Sequence, residues 1–170
     1  MTKTLSASTL SILLAACATP DTAGPTATAT LRPASGSQVQ GRIRLTQIAP
    51  NRVRVTGDVS GHQAGPKGFH IHEKGDCSAP DAMSAGGHFN PAKTHHGASS
   101  GTGHAGDLGN LTFDAAGRAK IDTVVEGVVM SSGAPNGIIG RAVVVHMQTD
   151  DLKSDPTGNA GARAACGVIG

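Results

Sequence analysis

Histidine is the residue type whose placement suggests chemistry. The stretch from 68 to 110 contains GFHIHEKGDCSAP, GGHFNPAKTHHG and GHAGDLGN, which supply His70, His72, His88, His96 and His104. A sixth histidine, His146, follows in GRAVVVHMQTD. Neutral imidazole nitrogen binds borderline metals such as copper and zinc. In a strand, residues i and i+2 share a face about 6.6 Å apart. His70 and His72 can therefore converge on one ion, with His146 brought from another strand. An H-x-H pair alone is often a surface feature, and a valine-flanked histidine is more often a packed core residue. The second group says more. His88, His96, His104 and Asp107 are spaced by 8, 8 and 3 residues. Three imidazoles and one carboxylate form the closed tetrahedral complement of a structural zinc site. The two groups flank one another, which suggests neighbouring metals.

The elements that must position them read as strands. Val39, Gly41, Ile43 and Leu45 alternate with polar residues, and so do Val53, Val55, Gly57 and Val59 beyond a turn at 49–52. This period of two predicts an antiparallel pair with one buried face. Its outward arginines, Arg42, Arg44 and Arg54, read as a solvated face that discourages edge-to-edge pairing. Short strands are also expected at 69–72, 110–113, 119–125 and around 166–169, with a further apolar run at 138–147 interrupted by Gly140-Arg141. The Gly- and His-rich region 73–109 shows no periodicity, and a loop of that length in a compact domain implies a functional organiser. A second long loop is expected over 149–162. Many short strands, turn signals and no convincing helix predict an all-β antiparallel sandwich or barrel with two long functional loops.

Composition removes other classes of function. The 170 residues include no Trp, no Tyr and 3 Phe, with a formal charge of +2. Base-stacking platforms and a basic footprint are both missing, so no nucleic acid partner is expected. Residues 1–16 read as a signal peptide: Lys3 precedes an apolar run too short to span a bilayer. The run ends in Leu14-Ala15-Ala16-Cys17, which resembles the lipobox of a bacterial lipoprotein signal. That resemblance implies lipidation at Cys17, a membrane anchor through the lipid, and a periplasmic location. Ala18 stands where an inner-membrane retention signal would have Asp, pointing to the outer membrane. Residues 17–37, rich in Ala, Thr, Pro and Ser, read as the lipidated cysteine and a flexible tether reaching on the order of 25 Å, with the folded domain over 38–170. With Cys17 taken by lipid, Cys77 and Cys166 remain as a pair. In an oxidising compartment they would form a disulfide; free buried thiols or zinc thiolates are the alternatives.

From residue 57 to 170 the chain resembles the secreted copper–zinc superoxide dismutases of bacteria, through GFHIHEKGDC, GGHFNP, GHAGDLGN, GRAVVVH and GNAGARAACGVIG. The resemblance implies an eight-stranded Greek-key β-barrel and dismutation of superoxide to oxygen and hydrogen peroxide, with one copper and one zinc per subunit. It implies copper on His70, His72, His88 and His146, and zinc on His88, His96, His104 and Asp107, with His88 bridging the two. Arg163 matches the family's anion-orienting arginine, and Asp150 its carboxylate linking His70 to His96. The Cys77–Cys166 pair would tie the metal loop to the strand after Arg163. His62 and His95 fall outside the motif and read as loop and solvated residues. A metal-buffering module would not need Arg163 beside a bridging histidine, and a structural lipoprotein would lack copper ligands, whereas His70, His72 and His146 are all present. The absence of Tyr and Trp favours a monomer over a homodimer.

Overall fold

The computed structural model describes residues 24–98 and 102–170. Eight strands follow one another: β1 (Thr26–Pro33), β2 (Gln40–Ala49), β3 (Arg52–Ser60), β4 (Gly65–His72), β5 (Asp107–Phe113), β6 (Arg118–Glu126), β7 (Ala142–His146) and β8 (Arg163–Val168). All pairings are antiparallel, in the order β5-β4-β7-β8-β1-β2-β3-β6. The two end strands, β5 and β6, are joined by a tight turn at 114–117, which brings the sheet round into a nearly closed barrel. β4, β5 and β6 run consecutively round the wall and β3 lies beside β6, which is Greek-key order.

The period-two segments become walls because alternate side chains turn inward. Ile43 and Leu45 of β2, Val53 and Val55 of β3, and Phe69 and Ile71 of β4 are buried inside the barrel. On the outer face Arg54 forms a two-pronged ion pair with Asp122 of β6, at 2.8 and 2.7 Å. The turn joining β2 to β3 uses Asn51 at φ 57, in the left-handed region that asparagine tolerates.

One expectation is corrected. The segment expected to be a tether extending to residue 37 contains β1, and the folded domain therefore begins before residue 38. Ala27, Ala29 and Leu31 alternate with threonine and arginine and point into the core. β1 is laddered to β2 on one side and to β8 on the other. Its inward side chains are mostly small, and backbone pairing on both edges supplies what side-chain area does not. The apolar run at 138–147 gives a strand only from Ala142. Gly140 at φ 80 turns the chain there, and Ile138 packs into the core from the preceding loop. The signal segment and Cys17 lie outside the described residues.

Candidate metal centre

β4 has two faces, and its outer one carries the chemistry. Phe69 and Ile71 enter the barrel, so His70 and His72 project outward, where the two long loops bury them completely. Pairing with β7 sets Phe69 opposite Val145. His146 then ends β7 at a register shift, opposite Arg163, the first residue of β8. On the other edge of β4, His70 pairs with Asp107, the first residue of β5. His88 returns from the loop to bridge against His72. Strand register thus gathers His70, His72, His146, Asp107 and Arg163, and the isolated bridge adds His88. The loop adds His96 and His104, and every member of the set is buried.

Of the three groups whose donor atoms lie mutually within 4.8 Å, His70, His96 and Asp150 form one and the other two have four members each. His70, His72, His88 and His146 make one; His88, His96, His104 and Asp107 make the other. His88 belongs to both. Hydrogen bonds decide which nitrogen each ring has to offer. His72 donates from Nδ1 to the Gly86 carbonyl at 2.9 Å, and His146 from Nδ1 to the Gly161 carbonyl at 3.1 Å. Their Nε2 atoms then face each other at 3.3 Å. His70 and His96 donate from Nε2 to the two oxygens of Asp150, at 2.8 and 2.9 Å. This leaves His70 Nδ1, His96 Nδ1 and His88 Nε2 buried without hydrogen-bond partners. Burying unpaired polar atoms costs free energy, and three in one place indicate a site built for cations.

The distances agree with that reading. Donors about 2.0–2.1 Å from one tetrahedral ion lie about 3.3 Å from each other. Asp107 Oδ1 stands 2.9 Å from His88 Nδ1, 3.1 Å from His96 Nδ1 and 3.3 Å from His104 Nδ1. His88 Nδ1 and His104 Nδ1 are 3.4 Å apart. The second oxygen of Asp107 accepts from the amides of Gly97 and His104, at 3.0 and 2.9 Å. Burial pushes the Asp107 carboxyl up, yet these hydrogen bonds and the one from His88 outweigh it and hold it at about 2. Asp150 is likewise held below the usual carboxylate range, because bonds from His70, His96 and the Leu152 amide outweigh its burial. Burial lowers His70 to about 4, His72 to about 2 and His146 to about 3, with neighbouring histidines adding to the effect. At neutral pH these rings are uncharged, the form in which imidazole binds metal.

Residues 39–169 match the family model of copper/zinc superoxide dismutase. The chain belongs to the copper/zinc superoxide dismutase family. It is an oxidoreductase of that family, whose cofactors are copper and zinc, and the family implies superoxide as substrate. Among solved structures it is similar to one titled "Crystal Structure Analysis of the clock protein EA4", at 42% identity and a TM-score of 0.76. That match covers 93% of this chain and 99% of the other.

The remaining site residues fall into place around the two groups. Arg163 is buried, donating from Nη1 to the Ala82 carbonyl at 2.6 Å and from Nη2 to the Gly86 carbonyl at 2.5 Å. Gly86 thus accepts from both His72 and Arg163, tying guanidinium and imidazole to one peptide. Cys77 and Cys166 form a disulfide with Cα atoms 5.7 Å apart, which anchors the loop that carries both carbonyls. His95 is exposed and bonded to Asp155, apart from either group.

Three contributions escaped the sequence. His62 donates from Nε2 to the backbone carbonyl of His146 at 3.1 Å and packs its ring on Phe113. Asn110 holds Asp150 at both ends, accepting from its amide at 2.9 Å and donating to its carbonyl at 3.0 Å. Gly158, at φ 62, lets the backbone pass so close to Asp150 that a Cβ there would stand 1.8 Å from Oδ1. The only sequence signals were an isolated histidine, the asparagine that ends GHAGDLGN and one loop glycine among many.

Proposed function

We propose that this chain dismutates superoxide at a paired centre, with copper on His70, His72, His88 and His146 and zinc on His88, His96, His104 and Asp107. The observation that carries the assignment is the double membership of His88, whose Nδ1 lies among the donors of one group and whose unpaired Nε2 lies toward the other. The all-nitrogen group suits copper, and the group with one carboxylate suits zinc.

Copper, when bound, supplies reversible one-electron exchange, and zinc polarises the shared ring and orders the loop. The chain does the rest. Arg163 is a fixed cation opposite His146, and its guanidinium attracts and orients a small anion there. Its bonds to Ala82 and Gly86 hold it in place before substrate arrives. Two superoxide ions and two protons give one oxygen and one hydrogen peroxide, so protons must reach the oriented anion. His88 Nε2, buried and without a hydrogen-bond partner, is the ring atom that would hold and release one while it is not bonded to copper. Asp150 keeps His70 and His96 in the tautomers that present Nδ1. The covering loops exclude bulk water, which strengthens each of these electrostatic contacts.

The test is superoxide dismutation by the full chain loaded with both metals, beside Arg163→Ala. Turnover should fall on the order of 10- to 100-fold in the variant with both metals retained. Two tightly held metals with no dismutation above that of free copper would refute the reading. We further propose that the protein works in the periplasm, held to the outer membrane through lipid on Cys17, a reading supported by Leu14-Ala15-Ala16-Cys17. Cys17→Ala should move it from the membrane fraction to the soluble one; an unchanged distribution would remove the anchor.

A further inference from the structure

The disulfide opens onto a groove that takes no part in the proposed dismutation. This shallow cavity of about 440 Å³ is lined by Thr28, Thr30, Arg32, Cys77, Cys166 and Val168, with Gly167 and Gly170. Register explains its composition. Arg32 of β1 is paired directly with Cys166 of β8, and Thr28 exchanges both backbone hydrogen bonds with Gly170. The same register sets Thr30 opposite Val168. Because Ala29 and Leu31 point into the core, Thr28, Thr30 and Arg32 form one outward row. Cross-strand partners have Cβ atoms about 5 Å apart, so the exposed Arg32 lines the groove at its disulfide end. No salt bridge engages Arg32 among the described residues. Asp76, the acid next to Cys77 in sequence, accepts from the Ser78 amide at 2.8 Å and does not line the groove. The two sulfurs differ in access, since Cys166 is buried and Cys77 only half-buried.

We infer that this groove is a docking site for an anionic peptide thiol, with Arg32 binding the carboxylate and Cys77 receiving the sulfur. The Thr28 and Thr30 hydroxyls offer hydrogen bonds to peptide groups, and the exposed side chain of Val168 offers an apolar contact. The docked thiolate attacks the Cys77 sulfur, forming a mixed disulfide there, and the Cys77–Cys166 bond breaks. Its electron pair leaves on Cys166 as thiolate, which takes a proton from water. The peptide sulfur is oxidised and the Cys166 sulfur reduced, so the exchange balances without further oxidant. Exchange releases the loop whose Ala82 and Gly86 carbonyls hold Arg163; that effect on turnover rests on the role proposed for Arg163, whereas docking does not.

The experiment reacts the oxidised, metal-loaded full chain with glutathione and, separately, with uncharged 2-mercaptoethanol, and maps the adducts by mass spectrometry. Arg32→Gln should slow the glutathione reaction about three- to five-fold, the worth of an exposed ion pair, and leave the mercaptoethanol rate within about two-fold. The glutathione adduct should sit on Cys77. Glutathione dimethyl ester on the unaltered protein should show the same slowing relative to glutathione, beyond any difference between the two reagents on Arg32→Gln. Equal effects of Arg32→Gln on both thiols, no loss on esterification, or adducts on Cys166 would overturn the inference. Dismutation is not read in this assay, so its outcome is independent of the proposed turnover mechanism.

Discussion

Asp150 is the side chain on which both proposed metal groups depend, though it belongs to neither ligand set. Each oxygen fixes one imidazole, and both rings are thereby committed to offering Nδ1. The backbone at Gly158 presses against this carboxylate. Gly158→Ala must push Asp150 aside or abandon its left-handed φ of 62, so the orientation of His70 and His96 should be lost together. Disturbing such supporting contacts typically costs 10- to 100-fold in metal affinity. Competition with a chelator should show weakening of that order for both copper and zinc in this variant. Unchanged affinities would mean that the rings are oriented without Asp150. The ligands themselves were legible in the sequence because imidazoles at regular spacing in a glycine-rich stretch have few other uses. Their supports were not, because Gly158, Asn110 and His62 act through contacts that only the folded loops create.

Among the elements, β2 and β3 were plain from alternating large apolar residues, and β1 was not. Its inward residues alternate just as strictly, but two of the three are alanine, and a Thr-Ala repeat resembles a linker. What makes it a strand is pairing with β2 and β8, which no local pattern records. A tether would tolerate loss of Leu31, whereas a wall strand would not. Leu31 is 2% exposed, and Leu31→Ala should destabilise the fold by about 2–5 kcal/mol. The urea midpoint measures this, and an unshifted midpoint would return β1 to the status of a linker. The loop after β4 shows the converse. It lacks periodicity because half of its main buried side chains are the ligands His88, His96 and His104, set among Ala82, Ala85 and Phe89.

For the whole molecule, a barrel of small apolar residues carries a polar, buried outer layer on one side. Without metals that layer opposes folding in acid. His70, His72 and His146 sit below the ordinary value near 6.5, at about 4, 2 and 3, chiefly through burial. As pH falls through 6.5 the unfolded chain takes up protons that the folded chain refuses. Stability of the metal-free protein should therefore decline from about pH 6.5 downward, by about 1.4 kcal/mol per pH unit for each titrating imidazole. The decline from His70 should level off near pH 4, and the others lower still. Denaturant midpoints at pH 7 and pH 5 would show it, and equal midpoints would mean that these rings accept protons in the folded state. Asp107, held at about 2, contributes stability above the usual carboxylate range that is lost only in stronger acid.

The central claim is that one imidazole is common to two different metals. Anomalous diffraction at the copper and zinc absorption edges, on crystals of the metal-loaded protein, tests it most directly. The account predicts copper among His70, His72, His88 and His146, zinc among His88, His96, His104 and Asp107, and His88 bonded to both. Zinc and copper interchanged, or either ion bound without His88, would contradict it.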